Sequence, residues 1–189
     1  MINKQGATRL SVREVTMVAT MIAIIIVLGM FPGIPLGFIP VPIVLQNMGV
    51  MIAGELLGPK QGSLAVWLFL ILVALGLPLL SGGRGGIATM IGPTGGYIVA
   101  WVLVPLLIGI SLKGVSRHRQ PNWVIEYLIV WLFGVLFVDG LGAVWVSAQS
   151  HMTMVESLTS SLTFIPGDTI KAVISVILVR RLRRALSYF

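Results

Sequence analysis

Cysteine is absent from the 189-residue chain. That absence excludes disulfides, zinc–thiolate centres and cysteine nucleophiles. Histidine is nearly absent: His118 and His151 lie far apart in expected loops and make no metal set. Charge is the third shortage. Only 10% of the residues are charged and 57% are hydrophobic, whereas an ordinary soluble domain carries about 25% charged residues. So few charges do not cover a soluble surface, and a single polytopic membrane domain over residues 1–189 is expected. Acids are scarcer than bases, 6 against 13, for a net charge of +7. This surplus does not imply nucleic acid. The basic residues are scattered at segment ends, only Arg180, Arg181, Arg183 and Arg184 cluster, and no aromatic residues interleave with them. No cleaved leader is expected, because residues 1–13 are polar and the apolar run after them lacks a small-residue cleavage site.

What the chain has in abundance is apolar sequence, in six runs. They are Val15 to Met30, Ile43 to Leu57, Ser63 to Leu80, Tyr97 to Leu112, Trp123 to Ala148 and Ser160 to Val179. The expected fold is all-α, a polytopic membrane protein with six transmembrane helices. A capping box, Ser11-Val-Arg-Glu14, starts the first span after a polar tail over residues 1–14. Ala19 and Ala23 stand at i, i+4, a small-xxx-small pattern that lets another helix approach closely. Gly58-Pro-Lys-Gln-Gly62 is expected to reverse the chain. The second span carries Gln46 and Asn47 near one end and Glu55 near the other; the fifth carries Asp139 and ends near Trp145.

Two loops are unusual. Residues 31–42 hold four prolines and two glycines in an apolar context. Such a stretch is not helical, and at membrane depth it is tolerated only under protein cover or along a cavity. It is expected to dip back and cap something. Residues 81–96 contain seven glycines around Arg84. The Gly-Lys-Ser/Thr ending of a phosphate-binding loop is missing. An arginine among glycines is suited to gripping a carboxylate.

Basic residues mark the cytoplasmic side of a membrane protein. Lys4, Arg9, Arg13, Lys60, Lys113, Arg117, Arg119 and the four arginines of the basic end, residues 180–189, fall on the side of the termini. Both termini are therefore expected in the cytoplasm, with loops 31–42 and 81–96 and the polar link 150–158 outside. Pro166-Gly-Asp-Thr-Ile-Lys171 interrupts the last apolar run in its outer half. The expectation is that Pro166 and Gly167 break the span and that Asp168 lies in the first turn of a fresh helix, where negative charge is favoured. Asp168 and Lys171 share a helix face. Ionisable residues inside a membrane are costly unless paired or facing a cavity. They read either as a tie between helices or as a binding site, where Asp168 accepts hydrogen bonds and Lys171 donates them.

Four segments together resemble the BioY family, the biotin-specific S components of energy-coupling factor (ECF) transporters. They are Ile39-Pro-Val-Pro-Ile-Val-Leu-Gln46, Gly82-Gly-Arg-Gly-Gly86, Gly92-Pro-Thr-Gly-Gly-Tyr97 and Pro166-Gly-Asp-Thr-Ile-Lys171. One departure is Val44, where the family pattern has Thr. The resemblance implies the S-component fold and a non-enzymatic protein of the bacterial cell membrane that captures biotin for uptake. It implies Asp168 and Lys171 at the ureido ring, Arg84 at the carboxylate, and Tyr97 or Trp145 as apolar walls. Gln46 and Asp139 join the site, Asp139 as a partner for Lys171 or as an interhelical tie. Ala19 and Ala23 match the pattern that docks a transmembrane coupling subunit. The resemblance implies no cofactor, and ATP is used only by two partner ATPase subunits. The competing readings are an S component for another vitamin and an autonomous proton-coupled transporter. An intramembrane enzyme lacks a Ser/His pair, a close carboxylate pair and a metal set.

Overall fold

Two capping boxes set the chain's helical phase at either end. In the computed structural model, which describes residues 11–116, 122–150 and 152–186, the Ser11 hydroxyl accepts from the Glu14 N–H, and the Glu14 carboxylate accepts from the Ser11 N–H. Helix α1 follows over Val12–Met30. The second box, Thr153 with Glu156, starts a short helix inside what the sequence presents as a polar link. Lys4, Arg9, Arg117, His118, Arg119 and His151 lie outside the described residues.

The remaining helices are α2 (Gln46–Ile52), α3 (Gly58–Ala74), α4 (Ile87–Ile91), α5 (Gly95–Val115), α6 (Trp123–Trp131), α7 (Val138–Gln149), α8 (Met154–Ser161) and α9 (Phe164–Leu186). Two π-helical segments, Ala53–Leu57 and Leu132–Phe137, continue α2 and join α6 to α7. Among the described residues there is no β-strand, only the isolated bridges Ile34–Ile43 and Leu80–Arg84. Among the described residues four helical runs are long and apolar enough to cross a membrane, or five when α8 and α9, bent by 43°, are counted as one span.

One of those runs, Gln46–Ala74, is 29 residues long. It is not a straight rod, which at that length would extend about 43 Å. Gln46 donates to the carbonyl of Leu79 at 2.9 Å, so the start of α2 meets the end of α3. The reversal falls at Gly58, whose φ of +74° is one that residues with a side chain rarely adopt. Just past it Gly62 packs so close to Ala53 that a Cβ would lie 2.4 Å from its carbonyl oxygen. The turn is thus sharper than expected, and α3 begins at Gly58 rather than at Ser63.

Spans successive in the chain alternate in direction: α2 runs against α3, and α1 runs the same way as α3, since Gln61 at the start of α3 donates to Glu14 at the start of α1 at 2.7 Å. Gly109 near the end of α5 packs on Pro59 at the start of α3. The core between them is apolar: Met21, Ile25, Val50, Met51, Val66, Phe69, Val104, Ile108, Val130 and Val176 are all buried. The outer faces are apolar as well, with Trp67, Ile71, Leu75, Ile110, Leu128, Leu132, Ile174 and Ile177 exposed. A soluble protein rarely leaves so much apolar surface uncovered. Lipid accounts for it.

Helix α9 corrects one expectation. The break lies at Leu162–Thr163, and the helix starts at Phe164. Pro166 therefore occupies the first turn, where its missing N–H costs nothing because the first four N–H groups have no intrahelical partner. Asp168 follows one turn into the helix rather than in its first turn.

Candidate functional site

The four acids outside the capping boxes, Glu55, Glu126, Asp139 and Asp168, are all buried. They separate into two polar centres at opposite ends of the α2–α9 seam. Burying such groups in an apolar bundle is costly unless they are paired or wait for a ligand.

The first centre surrounds Asp168 and Lys171. Their side chains form a buried ion pair. The second Asp168 oxygen accepts from Asn47 Nδ2 at 3.4 Å, and Asn47 also donates to the Gly134 carbonyl at 3.0 Å. Lys171 Nζ donates to the backbone carbonyl of Val44 at 2.7 Å. Position 44 thus acts through its backbone. Beside the pair stands Asp139, with neither carboxyl oxygen hydrogen-bonded among the described residues. Asn47 Oδ1 is likewise without a partner there. Asp139 is therefore not a hydrogen-bonded tie between helices.

These groups open into one cavity, about 580 Å³ of atom-free space counted out to its mouth. Its floor carries Asn47, Asp139, Asp168 and Lys171, and its walls include Val41, Ile43, Ile98, Trp101, Val138 and Phe164. Tyr97 stacks edge-on against Phe164 with ring centroids 5.9 Å apart. Tyr97 fits because position 142 is glycine: a Cβ there would lie 2.3 Å from the phenol ring.

Both unusual loops reach this cavity. The proline-rich loop buries Ile39 and Val41 against Val146 and Phe164 and contributes Val41 to Val44 to the wall. The backbone exchange between Ile34 and Ile43, 2.9 Å in both directions, closes its base. The glycine loop brings Arg84 to the lining. Gly82 and Gly83, at φ +79° and +68°, allow the Leu80–Arg84 bridge that turns Arg84 inward. Arg84 Nε donates to the Ser81 carbonyl at 3.2 Å.

Of the residues singled out in sequence, Asp168, Lys171, Asp139, Arg84, Tyr97 and Gln46 meet at this cavity. Gln46 differs in role, because its amide is already engaged. It donates to Ile25 and Leu79 carbonyls and accepts from the Ser81 N–H at 2.9 Å, so it fixes the glycine loop. Trp145 is not among the lining residues. Its indole donates to the Gly92 carbonyl at 2.9 Å and packs over Gly95 and Gly96, holding the start of α5. Trp101 takes the place assigned to Trp145 in the wall. The signal for Trp101 was its i+4 spacing from Tyr97, which puts both rings on one face of α5. Asn47 was visible beside Gln46, but nothing local showed that it reaches Asp168. Ala19 and Ala23 are exposed on α1.

The second centre ties α6 to α9. Buried Glu126 accepts from Arg180 Nε at 2.6 Å and from Arg183 Nη1 at 2.7 Å. Arg183 also donates to the Glu55 carbonyl, and Ser175 donates to the Glu55 side chain.

A helical bundle with apolar outer faces and a charged, partly unsatisfied cavity at one end is an integral-membrane protein built around a small-molecule site. The chain belongs to the BioY family, which it matches over residues 3–188. It is 56% identical over 173 residues to the biotin transporter BioY of Lactococcus lactis subsp. cremoris, covering 92% of each chain. Identity to the biotin transporter BioY of Rhizobium etli is 39% over 174 residues, covering 90% of this chain and 93% of that one. The fold superposes on the crystal structure of the S-component for biotin from an ECF-type ABC transporter with a TM-score of 0.90. Sequence identity to it is 54%, over 97% of this chain and 95% of the other.

Proposed function

We infer that this chain binds biotin in the Asp168–Lys171 cavity and is the substrate-capture component of an ECF-type ABC transporter. One observation carries the site: two buried carboxyl groups, an amide and a lysine meet a loop-borne arginine in a single apolar-walled cavity. Biotin suits that division. Its ureido ring offers N–H donors to Asp139, Asp168 and Asn47 Oδ1, and its carbonyl accepts from Lys171. The fused ring and aliphatic chain lie along Tyr97, Trp101, Phe164 and Ile98. The carboxylate meets Arg84. The unpartnered oxygens of Asp139 and Asn47 support this reading, since buried acceptors without partners are rare.

The chain crosses the membrane six times in this proposal, with both termini in the cytoplasm. The reversal at Gly58 supports counting α2 and α3 as separate spans, and the alternation of helix directions supports the rest. Arg13, Lys60, Lys113, Arg181 and Arg184 then share the inner side, as the positive-inside rule requires. Loops 31–42 and 81–96 and the cavity mouth face outside. Residues 1–189 act as one substrate-binding domain that performs no catalysis and needs no cofactor. Uptake is driven by a transmembrane coupling subunit and two ATPase subunits that consume ATP. Ala19 and Ala23, on the exposed face of α1, meet the coupling subunit.

The test is calorimetric titration of the purified chain with biotin, thiamine and riboflavin. Saturable binding of biotin alone is expected, and weakened at least tenfold by Asp139→Asn or Asp168→Asn. Selective binding of thiamine or riboflavin would overturn the ligand. Uptake into vesicles by this chain alone, abolished by an uncoupler, would overturn the ATP-driven assignment.

A further inference from the structure

A second cavity lies at the other end of the α2–α9 seam. It holds about 790 Å³ of atom-free space out to its open mouth, between the α2–α3 reversal, the end of α5 and Arg183 of α9. Glu55 lines it and is buried. One Glu55 oxygen is taken by Ser175; the other has no hydrogen-bond partner among the described residues. Glu55 sits in the π-helical segment Ala53–Leu57, a form of winding found often at functional sites. Lys113 lines the same cavity from the last turn of α5 and is exposed, with no described ion pair. Leu57 and Leu112 supply an apolar wall.

The required occupant has a hydrogen-bond donor for Glu55, an anion for Lys113 and apolar bulk for the leucines. We propose that this cavity binds a phospholipid with a primary-amine headgroup, of the phosphatidylethanolamine kind. The ammonium donates to the free Glu55 oxygen, and the phosphate meets Lys113. The acyl chains leave along the apolar outer face. A primary ammonium suits Glu55 better than a hydroxyl, because charge-assisted hydrogen bonds are roughly twice as strong as neutral ones. A quaternary ammonium has no N–H to give. The cavity lies at the end of the bundle where Lys60, Lys113 and the arginines of α9 gather, which is headgroup depth in the six-span reading above. The inference rests on that embedding and not on the ligand of the first cavity.

The experiment uses the full chain in phosphatidylcholine nanodiscs. Discs are doped with phosphatidylethanolamine, its N-methylated derivatives or phosphatidylglycerol, or are supplied with soluble glycerophosphoethanolamine. Thermal unfolding and biotin titration are read on the same samples. Phosphatidylethanolamine is expected to raise the midpoint by about 4 °C, with the gain falling at each N-methylation. Glu55→Gln and Lys113→Ala should each remove most of the gain; Lys113 is exposed, so its variant folds. A gain that survives Lys113→Ala, or an equal gain from phosphatidylglycerol, overturns the proposal. A gain from the soluble headgroup alone overturns the lipid assignment. Failure of biotin to bind in any disc, with the lipid gain intact, overturns the ligand reading and leaves this one standing.

Discussion

Lys171 Nζ and the carbonyl of Val44 meet at 2.7 Å across 127 positions of sequence. This contact joins the end of the proline-rich loop to the charged face of α9. The same ammonium pairs with Asp168, so one side chain holds both the loop and the acid in place. Such a group preorganises the floor of a site before a ligand arrives.

Lys171→Met separates the structural from the binding role. It leaves Asp168 buried without its cation, and breaking a buried pair costs about 3–5 kcal/mol. The thermal midpoint should fall sharply and biotin binding should vanish. Adding Asp168→Asn should restore most of the stability, because replacing both members of a buried pair is often near neutral. It should not restore binding. A double variant that bound biotin normally would make the pair purely structural.

Arg84→Ala should weaken biotin by about tenfold to a hundredfold, as expected for a hydrogen bond between charged groups worth about 1.5–3 kcal/mol. Biotin methyl ester and biotin amide should bind the variant and the parent alike. Titration of all three ligands decides the matter, and an equal loss for each would remove Arg84 from the carboxylate.

The two tryptophans should respond oppositely. Trp101→Ala removes part of the cavity wall and should lower biotin affinity at least tenfold. Trp145→Phe keeps the ring over Gly95 and Gly96 but loses the bond to Gly92. It should cost about 1 kcal/mol of stability and leave affinity within threefold. Unfolding and titration on the same preparations make the comparison.

Ala19→Leu combined with Ala23→Leu changes only an exposed face of α1. The purified variant should unfold and bind biotin as the parent does. Biotin uptake by cells that supply the coupling and ATPase subunits should be largely lost. Normal uptake would place the docking face elsewhere.

The membrane class, the helical content and the charged groups of the cavity were legible in the sequence because their causes are local. Scarce charge and long apolar runs leave few alternatives to lipid. A Pro-Gly-Asp-Thr-Ile-Lys segment within such a run marks itself, as does an arginine set among glycines. The partners of those residues were not legible. Val44 reaches Lys171 through a backbone carbonyl, which no side-chain pattern encodes. Trp145 and Trp101 are alike as letters, and only packing turns one into the cavity and the other onto the α5 glycines.

The sequence by itself determined that four acids and a lysine sit within apolar runs, and that two loops are too rich in proline or glycine to be helical. Tertiary structure decided how those charges divide. Asp168 and Asp139 went to one end of the α2–α9 seam, and Glu55 and Glu126 to the other. The reason is geometric. Asn47 and Glu55 stand about 12 Å apart along one helical run, at about 1.5 Å of rise per residue, and the reversal at Gly58 ends that run just past Glu55. Helix α9 lies beside that run and supplies each end with its own cation, Lys171 to the first and Arg183 to the second.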